Sequence, residues 1–331
     1  MLHHDEPYII HPEGKHTHTL ILIHGTSTSG PEFAKGFLDF EFNLQNPPRK
    51  TTLRNEFRKG GVLDGVRVVF PSGSLKKITA LEGREGHAWF NVHQWGDRTV
   101  GEDEQVVGMR ESLVYLKGLV EAEEKLVGVR KRIVLGGFSQ GSAMGVIAVL
   151  SGELGGIGGF VGLSGWLPFR RQIDEVMGEE KEGLRAESEV VEKGERGWKK
   201  PWRLMWDFVL SCAAKVSWMF SWILRRRSRK VVTSEQEKQV TRRRGLAVQY
   251  VRTLLSLPSR ILDIETTMPI LLGHGDQDLK VRYEWALQMR HSLLGMGLNL
   301  KSKTYDGVKH WYCEPEMKDL ILILQKVWKL T

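Results

Sequence analysis

The sequence predicts an α/β fold in which a mostly parallel sheet is covered by helices on both faces. Short apolar runs alternate along the chain with longer segments whose apolar residues recur at helical spacing. Strands that alternate with helices form a parallel sheet, because each helix carries the chain back to the start of the next strand. Residues with chemically useful side chains follow three of the apolar runs. Such sheets bind ligands at the carboxyl ends of their strands, so we expect a functional site there.

Six strands and four helices account for this pattern. The predicted strands lie near residues 19–24, 66–70, 131–136, 159–163, 268–273 and 300–305. The predicted helices lie near residues 104–127, 141–151, 283–295 and 314–330. The helical period is clearest over 104–127, where Val and Leu residues form one face and charged residues the opposite one.

A pentapeptide with the spacing G-x-S-x-G follows the third predicted strand: Gly137-Phe138-Ser139-Gln140-Gly141. A stretch of small residues comes after it, so the context is strand, sharp turn and helix. At such a turn the pentapeptide forms a nucleophile elbow that lifts the serine hydroxyl above the sheet edge. The helix N-terminus also points its N–H groups at any negative charge that develops there. A purely structural turn is the alternative, because Gly and Ser are common in turns.

An acid and a histidine follow in the order that a Ser-Asp-His triad requires in α/β-hydrolases. Asp276 and Asp278 come directly after the strand near 268–273, and His310 lies between the last strand and the last helix. Serine needs a histidine to take its proton, and the histidine needs a carboxylate to hold its tautomer. Either aspartate could instead cap a turn, and one of eleven histidines could fall there by chance.

The chain resembles the acyl-protein thioesterase, carboxylesterase and lysophospholipase family, particularly its fungal-type members. The resemblance covers roughly residues 19–171 and 246–331. The residues that carry it are Leu22-Ile23-His24-Gly25, Arg132 to Met144, Leu163-Ser164-Gly165-Trp166-Leu167-Pro168, Gly273-His274-Gly275-Asp276-Gln277-Asp278 and Tyr305-Asp306-Gly307-Val308-Lys309-His310-Trp311-Tyr312.

This resemblance implies an α/β-hydrolase fold and a serine hydrolase that uses neither a metal nor another cofactor. It implies that Asp278, the second aspartate after the His-Gly pair, is the triad acid that acts with Ser139 and His310. The N–H groups of Gln140 and Thr26 would form the oxyanion hole. The family usually continues with a Gly-Asp pair where this chain has Ser27-Thr28-Ser29-Gly30.

Four aromatic residues are candidates for the acyl-binding site: Trp89, Phe90, Trp166 and Trp311. The first two belong to Gly86–Asn91, which resembles the Ala-Trp-Phe-Asp stretch beside the family's acyl channel. The alternative is that all four are ordinary core aromatics. The resemblance implies an acylated protein, a lysophospholipid or a simple ester as substrate, and the sequence does not choose among these.

The composition indicates an intracellular protein with a sizeable core. The chain has 331 residues, 41% of them hydrophobic, and two cysteines, so no disulfide framework is expected. No signal peptide is evident at the N-terminus, and we expect a cytoplasmic location. Five histidines crowd the first eighteen residues, where a solvated tail is favoured over a metal site.

Residues 172–245 have no counterpart in the family and are expected to form a long insertion in a single catalytic domain made of 1–171 and 246–331. The insertion begins with an acidic stretch, Asp174 to Glu195, that is expected to be disordered. Its second part, Trp198 to Arg244, holds five of the eleven tryptophans. That part has thirteen Lys and Arg against three Asp and Glu, whereas the whole chain carries a net charge of +8.

The apolar run Leu204–Leu224 within the insertion suggests contact with a membrane, peripherally through residues 198–230. Asp207 and Lys215 interrupt the run, which disfavours a membrane-spanning helix and favours an interfacial one. A disordered or artefactual insertion is the other interpretation. No nucleic-acid recognition motif accompanies the basic residues, so no nucleic-acid partner is expected. The alternative function is a non-catalytic, membrane-associated adaptor that acts through this insertion.

Overall fold

The computed structural model describes residues 4–45, 48–178, 234–259 and 264–330. Within these ranges the strands are Tyr8–Ile10 (β1), His18–Ile23 (β2), Glu41–Gln45 (β3), Pro48–Thr52 (β4), Val66–Phe70 (β5), Leu75–Ile78 (β6), Arg84–His87 (β7), Ile133–Phe138 (β8), Gly159–Leu163 (β9), Ile270–Gly275 (β10) and Leu300–Tyr305 (β11). The helices are Gly30–Leu38 (α1), Leu53–Glu56 (α2), Glu102–Val127 (α3), Gln140–Leu150 (α4), Arg170–Met177 (α5), Ser234–Leu254 (α6), Tyr283–Gly295 (α7) and Glu314–Trp328 (α8), with 3-10 turns at Thr79–Leu81 and Arg130–Arg132.

A seven-stranded sheet forms the centre of the fold, with the strand order β1-β5-β2-β8-β9-β10-β11. The six strands from β5 to β11 in this order run parallel to one another, and only β1 pairs antiparallel, with β5. The mostly parallel sheet predicted from the sequence is therefore confirmed. The carboxyl ends of β2, β8 and β10 lie at the same edge, which is where the candidate residues follow their strands.

Each face of this sheet packs against its own set of helices. Alternate residues of β2 divide between two apolar cores: Ile21 and Ile23 enter one, and Leu20 and Leu22 enter the other. The first core includes apolar residues of α3, α4, α5, α6 and α7, whereas the second includes those of α1 and α8. This alternation of successive strand residues between two cores is expected for strands that are covered on both faces, and it confirms the predicted helices on both faces of the sheet.

The sequence pattern did not predict several short elements. Helix α1 nevertheless carries a recognisable signal, because Ser29 and Glu32 form a reciprocal capping box around Pro31. The two antiparallel pairs, β3 with β4 and β6 with β7, have strands of four or five residues. Runs this short give too few alternating positions for a period to be identified.

Two expected boundaries of the insertion are wrong. Residues 172–177 continue helix α5, in which Ile173 and Met177 are buried in the first core. Asp174 is not in a disordered stretch, since its carboxylate accepts from Ser292 Oγ at 2.6 Å and pairs with Arg170. The core contacts of α5 explain the error, because composition alone does not show which apolar residues are buried.

Residues 1–177 with 241–331 belong to one compact unit, which does not include residues 178–240. Helix α6 begins at Ser234, and its buried Arg244 donates to the Met296 carbonyl at 3.1 Å, ahead of the predicted boundary at residue 246. The segment 198–230, including the run Leu204–Leu224, lies outside the described residues. None of the helices in the described ranges contains an apolar stretch of the length that a membrane span requires.

Candidate active site

Ser139 occupies a sharp turn between β8 and α4. Its backbone has φ +55° and ψ −117°, a conformation that non-glycine residues rarely adopt. The turn needs glycine on both sides because the backbone passes so close. A Cβ on Gly141 would lie 2.2 Å from the Ile23 carbonyl oxygen, and one on Gly137 would lie 2.4 Å from Gly141 C. The structure therefore forms the elbow that the pentapeptide predicts, with strain stored at the serine.

His310 stands between Ser139 and Asp278. Its Nε2 lies 3.0 Å from Ser139 Oγ, and its Nδ1 lies 2.6 Å from Asp278 Oδ2. A proton on Nδ1 donates to the carboxylate, which leaves Nε2 free to accept from the serine hydroxyl. The three residues come from separate strand ends, yet their side chains form one hydrogen-bonded chain.

The Asp278 carboxylate is buried and held in a fixed orientation. Its Oδ1 accepts from the N–H groups of Lys280 and Val281, both at 2.9 Å. Burial acts to raise the pKa of Asp278, but the hydrogen bond and charge attraction of His310 outweigh it, with help from Val281 N–H, and the pKa is lowered. The carboxylate therefore stays ionised at neutral pH.

The other aspartate, Asp276, does not contact His310. It is exposed, and its Oδ1 accepts from Gly307 N–H at 2.7 Å, which ties together the two loops that follow β10 and β11. Buried His274 approaches Asp278 Oδ2 at 3.4 Å but donates through Nε2 to the Val281 carbonyl at 2.8 Å. Burial lowers the pKa of His274, so its ring is neutral and supports the Asp278 loop as a hydrogen-bond donor.

The two expected oxyanion donors belong to two separate elements near the serine. Gln140 is the first residue of α4, so its N–H has no acceptor within the helix. Thr26 belongs to the loop after β2 and lines the same cleft as Ser139. The preceding Gly25 passes so close that a Cβ there would lie 3.2 Å from Ser139 Cβ. Gln140 thus follows Ser139 directly and Thr26 lines the same cleft, and their role as oxyanion donors stays a prediction.

An open cleft of about 640 Å³ leads to Ser139 and His310. Its size lies within the range of about 300–1,000 Å³ that is usual for small-molecule sites. Its walls are largely apolar, and its apolar lining residues are Phe33, Leu81, Trp95, Phe138, Leu279, Trp311 and Tyr312.

Of the four aromatic residues predicted to bind an acyl group, only Trp311 lines this cleft, and its side chain is 55% exposed. The prediction is wrong for Trp89 and Phe90, which are fully buried and have no surface to offer a ligand. Trp166 lines a separate cavity of about 120 Å³. The sequence could not separate these cases, because an aromatic residue packs equally well in a core or in a cleft wall.

Arg98 is a residue of the site that the sequence analysis missed. It lines both cavities, yet it is only 8% exposed. Its guanidinium lies over the rings of Trp95, Trp166 and Trp285, at 4.7–5.5 Å from their centroids. It donates to the Lys280 carbonyl at 3.1 Å, next to the loop that holds Asp278. Burial lowers its pKa to about 10, against the attraction of Asp278, so Arg98 remains charged at neutral pH.

None of the described residues form a group of three or more His, Cys, Asp and Glu side chains that could hold a metal ion. The five histidines of the first eighteen residues include His3, which lies outside the described ranges. Of the others, His16 and His18 contact Thr19 and Thr17.

Comparison with known proteins identifies similar sequences and folds. Residues 4–181 match the family described as Phospholipase/Carboxylesterase. Acyl-protein thioesterase 1 of Gibberella zeae is 30% identical over 165 residues, which cover 49% of this chain and 62% of that protein. Acyl-protein thioesterase 1 of Cryptococcus neoformans var. neoformans is 31% identical over 172 residues, 51% of this chain and 63% of that protein. The chain thus spans about three fifths of the length of these curated relatives.

Solved structures show the same fold at lower identity. Acyl-protein thioesterase 2 of Zea mays superposes with a TM-score of 0.54 and 18% identity, covering 98% of this chain and 99% of that one. Arabidopsis thaliana SOBER1 gives a TM-score of 0.55 and 18% identity, covering 94% and 99%. These similarities support the α/β-hydrolase arrangement of strands and helices.

Proposed function

Because the chain belongs to the phospholipase/carboxylesterase family, we propose that it is a serine hydrolase that cleaves acyl thioesters or carboxylic esters through an acyl-enzyme. One observation carries this proposal: His310 is hydrogen-bonded to Ser139 at 3.0 Å and to Asp278 at 2.6 Å. A histidine between a hydroxyl and a buried carboxylate is the arrangement that activates a serine nucleophile.

Acylation begins when Ser139 Oγ attacks the carbonyl carbon of the bound ester or thioester. His310 Nε2 takes the hydroxyl proton and then gives it to the leaving alcohol or thiol, while the acyl group stays on Ser139. Asp278 keeps the other ring nitrogen protonated and stabilises the positive ring that forms between these transfers. Its two backbone N–H contacts prevent the carboxylate from turning away.

The oxygen of the tetrahedral intermediate carries negative charge, and the Thr26 and Gln140 N–H groups would stabilise it. Fixed donors of this kind contribute most when the charge develops, because they need no rearrangement. Deacylation repeats the sequence with water, which His310 deprotonates. No step needs a metal or another cofactor, since every proton moves through His310.

The substrate class follows from the cleft and from the relatives. Apolar walls beside Ser139 fit an acyl chain better than a polar group. Relatives at about 30% identity are named acyl-protein thioesterase 1, so we propose an acylated protein as the substrate. A lysophospholipid or a small ester presents the same acyl carbonyl to Ser139.

We also propose a cytoplasmic location and a peripheral membrane contact through residues 198–230. This rests on composition, because the segment lies outside the described residues. Tryptophans together with flanking lysines and arginines favour the interface of anionic membranes.

Hydrolysis of p-nitrophenyl esters of graded chain length, with fluorophosphonate labelling, tests the catalytic proposal. Ser139→Ala should abolish labelling and nearly all turnover, because the covalent route is lost. Ser142→Ala is the matched control, since Ser142 is a buried serine of α4 whose Oγ has no hydrogen-bond partner among the described residues. Labelling that persists in Ser139→Ala would contradict the assignment.

A further inference from the structure

The two oxyanion donors belong to different elements, yet one short segment, His87–Phe90, contacts both of them. Gln140 extends its side-chain amide to this segment: its Oε1 accepts from Trp89 N–H at 3.0 Å, and its Nε2 donates to the Phe90 carbonyl at 2.6 Å. Gln140 is fully buried, so neither contact competes with water. The residue that supplies one donor through its backbone therefore fixes the segment through its side chain.

The same segment holds the loop of the other donor at two points. Trp89 Nε1 donates to the His24 carbonyl at 2.8 Å. The His87 carbonyl accepts from Ser27 N–H at 2.9 Å. Thr26 lies between these two attachment points, so its N–H direction is set by backbone that is fixed on both sides.

The His24 ring also helps to fix the loop that carries Thr26. Its Nε2 accepts from Gly73 N–H at 2.8 Å, and its Nδ1 contacts the Gly25 carbonyl at 2.6 Å. The ring is fully buried, and that burial lowers the pKa of His24 to about 4, so it is neutral and protonated on Nδ1. Ser27 has a φ of +63°, which is unfavourable for a residue with a side chain. External contacts must therefore hold this loop in shape.

We propose that Trp89 is a positioning residue of the oxyanion hole, whose indole N–H holds the His24 carbonyl and thereby sets the distance between Thr26 N–H and Gln140 N–H. Trp89 touches no substrate, since it is fully buried. This role rests on the proposed function, because an oxyanion hole has meaning only for acyl transfer. It also explains why Trp89 lies beside the site without lining the cleft.

The test is Trp89→Phe, which removes the indole N–H and keeps a buried ring. Loss of a whole oxyanion donor costs about 10²–10³ in kcat, so a displaced donor should cost about 10- to 100-fold. KM should change little, because the ground-state carbonyl gains little from the hole. Ser139 Oγ adds to the carbonyl carbon of an alkyl trifluoromethyl ketone, and the serine hydroxyl proton passes to His310 Nε2. The former carbonyl oxygen is then an anion in the position of the oxyanion. Its inhibition constant should rise by the same factor as kcat/KM falls.

Trp328→Phe is the matched control. Trp328 is also buried, but its Nε1 has no hydrogen-bond partner in the described part of the chain, and it lies on α8 against His18. This variant should leave kcat and ketone inhibition unchanged even if it lowers the unfolding temperature. Equal kcat and equal inhibition in Trp89→Phe and the unmodified protein would overturn the proposal.

A second variant covers the case in which Trp89→Phe does not fold. Gln140→Met removes both amide contacts and keeps the backbone N–H, so it should also lower kcat and ketone affinity in parallel. If both variants fold, their effects should be less than additive, because they act through the same segment. Unchanged inhibition in Gln140→Met would overturn the proposal. If the unmodified protein neither hydrolyses esters nor reacts with fluorophosphonate, the proposed function fails, and this inference fails with it.

Discussion

Replacing Asp278 by asparagine should disable His310 without changing the shape of the site. Asp278 Oδ1 accepts from two backbone N–H groups, and Oδ2 accepts from His310 Nδ1. An asparagine has one oxygen and one NH₂ group, and the oxygen must face the two N–H groups to avoid a clash of donors. The NH₂ group then faces His310 and makes Nδ1 an acceptor.

The proton of the neutral ring is thereby forced onto Nε2, where it faces the Ser139 hydroxyl. His310 can then no longer accept the serine proton. The same substitution in serine proteases costs about 10⁴ in kcat, which corresponds to about 5.4 kcal/mol of activation free energy. We expect a loss of this size for Asp278→Asn in the hydrolysis of p-nitrophenyl butyrate near neutral pH.

Asp276→Asn is the matched control, because it changes an aspartate of the same loop. Its carboxylate is exposed and, among the described residues, accepts from Gly307 N–H, which an asparagine oxygen also does. Activity should change by about twofold or less, as expected for a surface substitution. If Asp276→Asn proved the more damaging variant, the assignment of Asp278 as the triad acid would be wrong.

Three further predictions concern other parts of the chain. Burial lowers the pKa of His18 to about 4, so between pH 4 and about 6.5 this histidine is protonated in the unfolded protein and neutral in the folded one. Stability should therefore fall as the pH drops from about 6.5 to 4. The unfolding temperature of His18→Gln should depend less on pH over this window, and an unchanged pH dependence would contradict the lowered pKa. Arg98→Met should lower kcat by about tenfold, because the Asp278 loop loses the donor to the Lys280 carbonyl and a nearby positive charge. Unchanged kinetics in this variant would show that Arg98 does not support the Asp278 loop. Replacing 178–240 by a Gly-Ser linker should spare turnover of a soluble ester and weaken sedimentation with anionic vesicles, and equal sedimentation would exclude membrane contact through 198–230.

The sequence allowed the fold to be predicted, and it indicated the three residues proposed as the triad, because these signals are local. The strand near 300–305 and the helix near 283–295 have the predicted bounds, and the elbow at Ser139 has a fixed spacing. The choice between Asp276 and Asp278 came from a family resemblance, because two acids in one turn differ only in the direction of the backbone. The structure separates them by burial: Asp278 is 3% exposed, whereas Asp276 faces solvent.

Other features depend on contacts between distant residues and leave no local pattern. Arg98 lies in a stretch with no strand or helix signal, and its surroundings come from Trp166 and Trp285, which are far away in sequence. The sequence does not distinguish Trp89 from Trp311 as a candidate for the acyl site, yet Trp89 is fully buried and Trp311 is 55% exposed. Burial of an aromatic residue is decided by packing, which the sequence of its own segment does not encode.

Two separate sets of contacts hold the proposed catalytic groups, and each protects a different step. Asp278 is held by the backbone of its own loop, with Arg98 beside it, and we expect these contacts to govern proton transfer through His310. The proposed oxyanion donors are held by contacts of Trp89 and the Gln140 side-chain amide, on which we expect stabilisation of the intermediate to depend. Damage to the first set should therefore slow proton transfer through His310, whereas damage to the second should weaken stabilisation of the intermediate and lower ketone affinity. All of these contacts lie outside residues 178–240, so divergence of that segment from the family is compatible with an intact catalytic site.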